Sequence, residues 1–430
     1  MAELFPPSWR SWSVWGVAAL FYLMAFYLRA SPAVMTTELM RDFGITAARL
    51  GTFSALYFYA YLLMQVPTGV LVDSWGARRL LVAGSIAAAA GTALFAFAPT
   101  VVLASVGRAI VGASTAVGWV ITLKLATHWF PRSLFATLSG VGLLIGNLGN
   151  LVAQVPLRLS VDRLGWRAVA WLSAAIMLVI GVLAWRLVAN DPSERGFASH
   201  APAAVQHRGR DTSWRERLLG FAHIFTYRNI WLIFCAQGGL VGSVLAFTGL
   251  WGPPFLKARF GLTSTAAAAV CSVLIVCWAA ASPLFGYLSD RLGHRKPLYL
   301  AGTVLSTIGW AVLFYVPALP MVAFVTIGAV TCFAGGAVIL GFAYAKESVP
   351  VQYLGTISGT INMGNMLGPT LLQPGIGWVL DRQWAGAAAN GVRVYDLPAF
   401  QAGFALILAW LVLSCVLIAL TRDTHCAQHA

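Results

Sequence analysis

Long apolar runs broken by short polar stretches organise the whole chain. Runs fall near residues 13–36, 51–72, 80–98, 101–125, 135–157 and 168–187, then near 230–253, 264–288, 298–316, 320–344, 355–379 and 400–420. Each is close to the roughly 20 residues that a helix needs to cross a bilayer. Hydrocarbon admits only segments that satisfy their own backbone polar groups, and a single long run does so as a helix. The pattern predicts an all-α membrane protein with twelve transmembrane helices in two pseudo-symmetric six-helix bundles. Between the sixth and seventh runs lies Asn190 to Asn229, with Arg195, Arg208, Arg210, Arg215, Arg217 and Arg228 beside Pro192, Pro202 and Gly209. This stretch reads as a hydrophilic linker, dividing the chain into 1–189, 190–229 and 230–430. Its part from Trp214 to Ile224 could lie as a short amphipathic helix on the membrane surface.

Composition agrees with that layout. Hydrophobic residues make up 59% of the 430 positions and charged residues 10%, whereas a soluble domain carries about a quarter charged residues to cover its surface. The net charge of +14 has no basic stripe with interleaved aromatics, so it does not point to nucleic acid. With both termini cytoplasmic, most of the 28 Lys and Arg fall on the cytoplasmic side, following the positive-inside tendency. A bacterial inner membrane is the expected location. Five of the six cysteines lie inside apolar runs without paired spacing, which reads as small buried hydrophobes rather than a disulfide frame or metal cluster. No cofactor is expected, and the first apolar run is too long for a cleavable signal.

The two halves repeat. Gly69-Val-Leu-Val-Asp73-Ser-Trp-Gly76-Ala-Arg78-Arg79 follows the second run, and Gly286-Tyr-Leu-Ser-Asp290-Arg-Leu-Gly293-His-Arg295-Lys296 follows the eighth. Pro131 with Ser139-Gly140 is matched by Pro350 with Ser358-Gly359. Two copies of a six-helix unit are the expected plan of a two-lobed transporter. The glycines permit close helix contact, and an Asp ending a span can meet a helix N-terminus or an Arg. This duplicated GxLxDxxGxRR pattern resembles the signature loop of the major facilitator superfamily. The resemblance implies that Asp73, Arg78, Asp290 and Arg295 are gating residues in a latch between moving lobes. Arg108-Ala-Ile-Val-Gly112 resembles the superfamily's RxxxG element. Gly142-Leu-Leu-Ile-Gly146-Asn147 has the glycine spacing of its antiporter signature but lacks the Gly-Pro, a departure from drug:proton antiporters.

Charges inside apolar runs mark the candidate site, because burying an arginine in a bilayer is costly. Arg29 sits well inside the first run and shares a helix face with Tyr22 and Phe26 by spacing. Arg108 lies in the fourth run. All 14 Asp and Glu map to loops, tails or helix ends, so a cavity holding one or two arginines should attract anions. Polar neutral residues complete the candidate substrate-binding set: Tyr61 on a face with Tyr57 and Gln65, Asn147 and Asn150 on a face with Gln154, Gln237, and Asn362 and Asn365 near Gln373. Each is also open to a plain interhelical hydrogen bond.

An arginine in the first span with another in the fourth is similar to the organophosphate:phosphate antiporter and anion:cation symporter branches, although the seventh span holds no basic residue. Phe21-Tyr-Leu with Ser31-Pro-Ala-Val-Met35, followed by Tyr57-Phe-Tyr59 and Gln65-Val-Pro67, also looks like proteobacterial carriers grouped with intraphagosomal amino-acid transporters. The resemblances imply a secondary active transporter of a small organic anion or zwitterion. Amino-acid, peptide or siderophore carriage is the alternative substrate reading, and a transporter-like membrane receptor or sensor the non-transport one. No His pair, Glu-x-x-His or carboxylate dyad lies in the apolar runs, so an enzyme is not expected. The expected partners are a small-molecule substrate, a coupling ion and the lipid bilayer, without nucleic acid, and the expected state is a monomer.

Overall fold

The computed structural model describes residues 5–201, 221–350, 353–424 and 426. The first half contains α1 (Ser8–Ala30), α2 (Thr36–Phe43), α3 (Ala47–Trp75), α4 (Ala77–Phe97), α5 (Val101–Thr115), α6 (Gly118–Trp129), α7 (Phe135–Val152), α8 (Val155–Leu164) and α9 (Trp166–Leu187). The second half contains α10 (Arg228–Ala246), α11 (Gly252–Phe260), α12 (Ser264–Leu292), α13 (Lys296–Tyr315), α14 (Met321–Gly335), α15 (Leu340–Glu347), α16 (Leu354–Arg382) and α17 (Leu397–Leu420). A π-turn at Phe247–Trp251 joins α10 to α11, and a two-stranded hairpin, β1 (Ala388–Ala389) and β2 (Val392–Arg393), lies between α16 and α17. The expected surface helix at 214–224 falls, up to residue 220, outside the described residues.

Ten helical runs are long and apolar enough to cross a membrane among the described residues, and up to eleven if α3 counts as one. Two pieces of α3, Ala47–Gln65 and Pro67–Trp75, meet at 52°. Pro67 supplies the reason, since proline removes a backbone donor and crowds the preceding turn. The remaining expected span corresponds to α16, which is 29 residues long. Its asparagines, threonines, glycines, glutamine and two prolines make it less apolar than its neighbours, which is why it stands apart in that count. Leu63, Phe97 and Val322 leave most of their surface uncovered, as lipid-facing side chains do.

Contacts divide the chain into two compact units. One unit takes in the chain before Ala30, Tyr59–Ala153 and the stretch beginning at Ser160; within it α4 packs most extensively on α9 and α5. The other takes in Ala30–Phe58, Gln154–Leu159 and the second half of the sequence, with α10 against α16 as its largest helix pair. Segments of the first repeat therefore belong to both units, and α1 and α3 each run from one into the other.

Candidate functional site

The site in the first unit is built on the last turns of α1. Arg29 is buried, with 6% of its surface exposed. Its guanidinium lies 3.9 Å from the centre of the Phe26 ring, an arrangement that favours a cation. Phe26 meets Tyr22 edge-on at 4.7 Å, and Tyr22 in turn contacts Trp119 at 5.3 Å. The face predicted from spacing is thus assembled, with Trp119 of α6 as an unforeseen fourth member. On the other side Arg29 Nη2 donates to Asn150 Oδ1 at 3.4 Å. Asn150 Nδ2 reaches Asn147 Oδ1 at 3.5 Å, while Asn147 Nδ2 is fixed on the Leu143 carbonyl at 3.0 Å. The carbonyl anchor sets the direction of both amides, so Asn150 turns its oxygen toward the guanidinium.

Arg108 is as deeply buried as Arg29 but points elsewhere. Its Nη1 donates to the Leu28 carbonyl at 2.6 Å and its Nη2 to the Arg29 carbonyl at 3.3 Å. These carbonyls end α1, where the following Ser31–Val34 turn contains Pro32 and cannot supply every amide donor. Arg108 is therefore a brace on the backbone that carries Arg29, and it brings a second positive charge to the same turn. Among the described residues no carboxylate pairs with Arg29. Gly146 and Gly149 let α7 approach this far: a Cβ on either would meet the Tyr22 ring or the Leu23 carbonyl. That contact gives the glycine spacing of the fifth span a local role without the missing Gly-Pro.

Other members of the expected set are placed apart. Tyr61 is buried on α3, and no hydrogen bond joins it to Arg29. Gln154 does not continue the Asn147–Asn150 face. Helix α7 ends at Val152, and Gln154 Nε2 donates to the Thr248 carbonyl within the second unit. In that unit Gln237 Nε2 donates to the Val338 carbonyl at 3.1 Å. Among the described residues Gln237 Oε1 and Asn365 Oδ1 accept no hydrogen bond, although buried acceptors normally have a donor. Asn362 lies half-buried one turn before Asn365.

The signature loops are organised within their own units. Asp73 pairs with Lys124 Nζ at 3.2 Å, and Arg78 donates to the Trp185 carbonyl while stacking on the Trp185 ring. In the second copy Arg295 joins Asp290 at 2.6 Å and Glu347 at 2.8 Å. Lys124, Glu347 and Asn190, whose Oδ1 accepts from the Arg78 amide, were not singled out from sequence. Nothing in the motif itself names these three, since they come from elsewhere in the chain.

The sequence profile of the Major Facilitator Superfamily matches residues 15–372 and again residues 240–427. The chain belongs to the Major Facilitator Superfamily. A relative from Cupriavidus necator, named "Probable sulfoacetate transporter", is 24% identical over 90% of this chain and 89% of its own length. A relative from Escherichia coli K12, named "Membrane sensor protein", is 24% identical over 87% of this chain and 86% of its own. The solved structure of a bacterial homolog of the human lysosomal transporter Spinster superposes with a TM-score of 0.76 at 16% identity, covering 96% of this chain and 97% of that one. The superfamily fold is thereby shared along nearly the whole sequence, as the duplicated signature loops imply.

Proposed function

We propose that the chain is a secondary active transporter that moves a small organic anion, or a zwitterion held by its carboxylate, across the membrane by alternating access. The observation that carries the substrate class is Arg29. Its guanidinium is buried, rests on an aromatic face and a neutral amide, and has no carboxylate partner among the described residues. An arginine stays protonated when desolvated, so the charge is balanced by a ligand that brings its own negative group. The planar fork suits a carboxylate, sulfonate or phosphate. Arg108 adds to the positive field while holding the α1 backbone still. The sulfoacetate in the name of the Cupriavidus relative belongs to the same chemical class.

On this reading both termini face the cytoplasm of a bacterial cell, a coupling ion accompanies the substrate, and the monomer is the working unit without enzymatic activity. The bundles formed by 1–189 and 230–430 are the moving bodies, and the loops around Asp73, Arg78, Asp290 and Arg295 form their cytoplasmic latch. Tyr22, Asn147 and Asn150 shape the Arg29 side of the site. Tyr61, Gln237, Asn362 and Asn365 offer further polar contacts, including acceptors for an ammonium group.

Uptake by proteoliposomes across a panel of carboxylates, sulfonates, phosphate esters and amino acids tests the reading. For the substrate found, Arg29→Gln should weaken affinity by about tenfold to hundredfold, the scale of a charged hydrogen bond. Arg29→Lys should fall between, keeping charge but losing the fork. A cationic substrate, or wild-type affinity in Arg29→Gln, would sink the mechanism. The name of the Escherichia coli relative favours a second reading as a membrane sensor. An anion that binds with Arg29 dependence but is never carried would select it.

A further inference from the structure

We propose that Asp381 and Tyr395 form a detachable cap on the first turn of α3, closing the end of the second unit remote from its signature loop during one stage of the transport cycle. The proposal rests on the transporter reading for its purpose, but its geometry stands independently. Helix α16 begins just after Glu347, the partner of Arg295, and its 29 residues span roughly 44 Å at 1.5 Å per residue. Asp381 in its last turn is therefore at the opposite end from the Asp290–Arg295 loop.

The first amides of a helix have no partner within it and are usually capped by the residue just before. Here that residue is Thr46, and among the described residues its hydroxyl accepts no such bond. The donors go to distant residues instead. Ala47 N–H donates to Tyr395 Oη at 3.1 Å, and Ala48 N–H donates to Asp381 Oδ2 at 2.9 Å. The Tyr395 hydroxyl donates in turn to Asp381 Oδ1 at 2.5 Å, with Arg393 Nη1 at 3.5 Å from the same oxygen. A carboxylate at a helix N-terminus also meets the positive end of the helix dipole. The hairpin reverses at Asn390-Gly391, both with positive φ, and so returns the chain to place Tyr395 beside α3.

A second set of contacts keeps the same surfaces flush. A Cβ on Gly51 of α3 would run into the Gln373 carbonyl and Pro374 of α16, and one on Gly377 of α16 would run into the Ala47 carbonyl. Each helix thus carries its glycine where the other's backbone crosses. Gln373 is itself fixed from beyond, its carbonyl accepting from Trp251 Nε1 at 3.0 Å and its amide donating to the Leu245 carbonyl at 3.2 Å. The start of α3 comes from the first repeat, yet it is seated on second-repeat helices. Alternating access requires first-repeat and second-repeat surfaces to part at this end. A cap made of hydrogen bonds supplied from another helix disappears when they part, whereas a cap made by Thr46 would have persisted in both states.

The test is a distance measurement between spin labels on Cys replacements of Arg49 and Ala389 in the full-length, otherwise cysteine-free protein in lipid nanodiscs. Asp381→Asn and Tyr395→Phe should each raise the long-distance population about fivefold, the weight of one lost cap. Asp381→Glu should restore part of the short-distance population. The variants should remain monodisperse, and the maximal transport rate should change more than the half-saturating concentration. Wild-type distance distributions in Asp381→Asn and Tyr395→Phe alike would overturn the proposal. If Asp381→Asn fails to fold, Tyr395→Phe decides alone, since it removes one hydroxyl. A population shift in a protein that carries no solute would leave the cap standing and defeat the transporter reading.

Discussion

The two signature loops share a sequence pattern and differ in nearly everything the pattern touches. In the first copy Gly76 has φ +83° and ψ 159° and leads into α4, whose Arg78 amide donates to Asn190 Oδ1. In the second, Gly293 has φ +69° and ψ 18° and ends α12, its amide bonded to the Ser289 carbonyl. Both conformations need glycine, but one starts a helix and the other stops one. The basic residues diverge further. Arg78 donates to the end of α9, whereas Arg295 gathers Asp290 and Glu347. In the register that pairs Pro131 with Pro350, His128 stands where Glu347 stands. His128 bonds an acid, Asp191, and Glu347 bonds a base, so the polarity of the contact is reversed between repeats. A duplicated motif fixes a turn and a place for charge; the helices around it choose the partner.

Removing Glu347 should separate the copies most. Its side chain is 12% exposed and that of Arg295 10%, against 69% for Asp290. Glu347→Gln leaves a mostly buried guanidinium short of its buried anion and should lower stability by about 3 kcal/mol. Asp290→Asn should cost under about 1 kcal/mol, as exposed pairs do. Thermal unfolding in detergent would measure both, and equal losses would mean that the two acids are interchangeable.

The first copy is best probed by acid. Asp191 is partly desolvated, which by itself raises its pKa, but hydrogen bonds from Ser193, Ser199 and His128 outweigh this and lower it from 3.8 to about 2. A depressed carboxylate contributes stability that is complete above its unfolded pKa and is lost as pH falls through the folded one. The contacts of residues 188–200 should therefore hold from neutrality to about pH 4 and loosen between about 4 and 2, with an effect of about 1 kcal/mol. Faster amide exchange at Ser193 and His200 would report the loosening, and Asp191→Asn should show it at neutral pH. Unchanged exchange in that variant would refute the assignment.

The smallest change in stability is expected at Asp73. Its pair with Lys124 is 37% and 23% exposed, so Asp73→Asn should cost about 0.5 kcal/mol. The proposed latch role predicts that the same variant slows transport while leaving substrate affinity nearly intact. Wild-type kinetics with an unaltered inward–outward distribution would remove it from the gate.

Much of this was legible in the sequence because hydropathy is additive along a helix. The apolar runs place the spans, and the face shared by Tyr22, Phe26 and Arg29 follows from helical spacing alone. Relations between helices were not legible. Gln154 shares spacing with Asn150, yet one turn of irregular chain after Val152 sends it to the Thr248 carbonyl. Arg108 has the composition of a ligand-binding residue, but two of its donors meet the α1 backbone. Glu347 looked like an ordinary helix-end acid until Arg295, 52 residues away, was seen beside it. Even α16 hides as a span, since the polar and glycine residues that fit it for close packing dilute its hydropathy.

The strap after α9 bears on how the protein can be divided. Asn190 receives the Arg78 amide, Trp129 Nε1 donates to the Ala189 carbonyl, and the His200 amide donates to the His128 carbonyl. Although polar, this stretch belongs to the structure that precedes it. A gene split for co-expression of the two halves should therefore be cut beyond Ala201. A break at Asn190 would strip the amino-terminal fragment of contacts that no amount of the complementary fragment, added separately, would reliably restore.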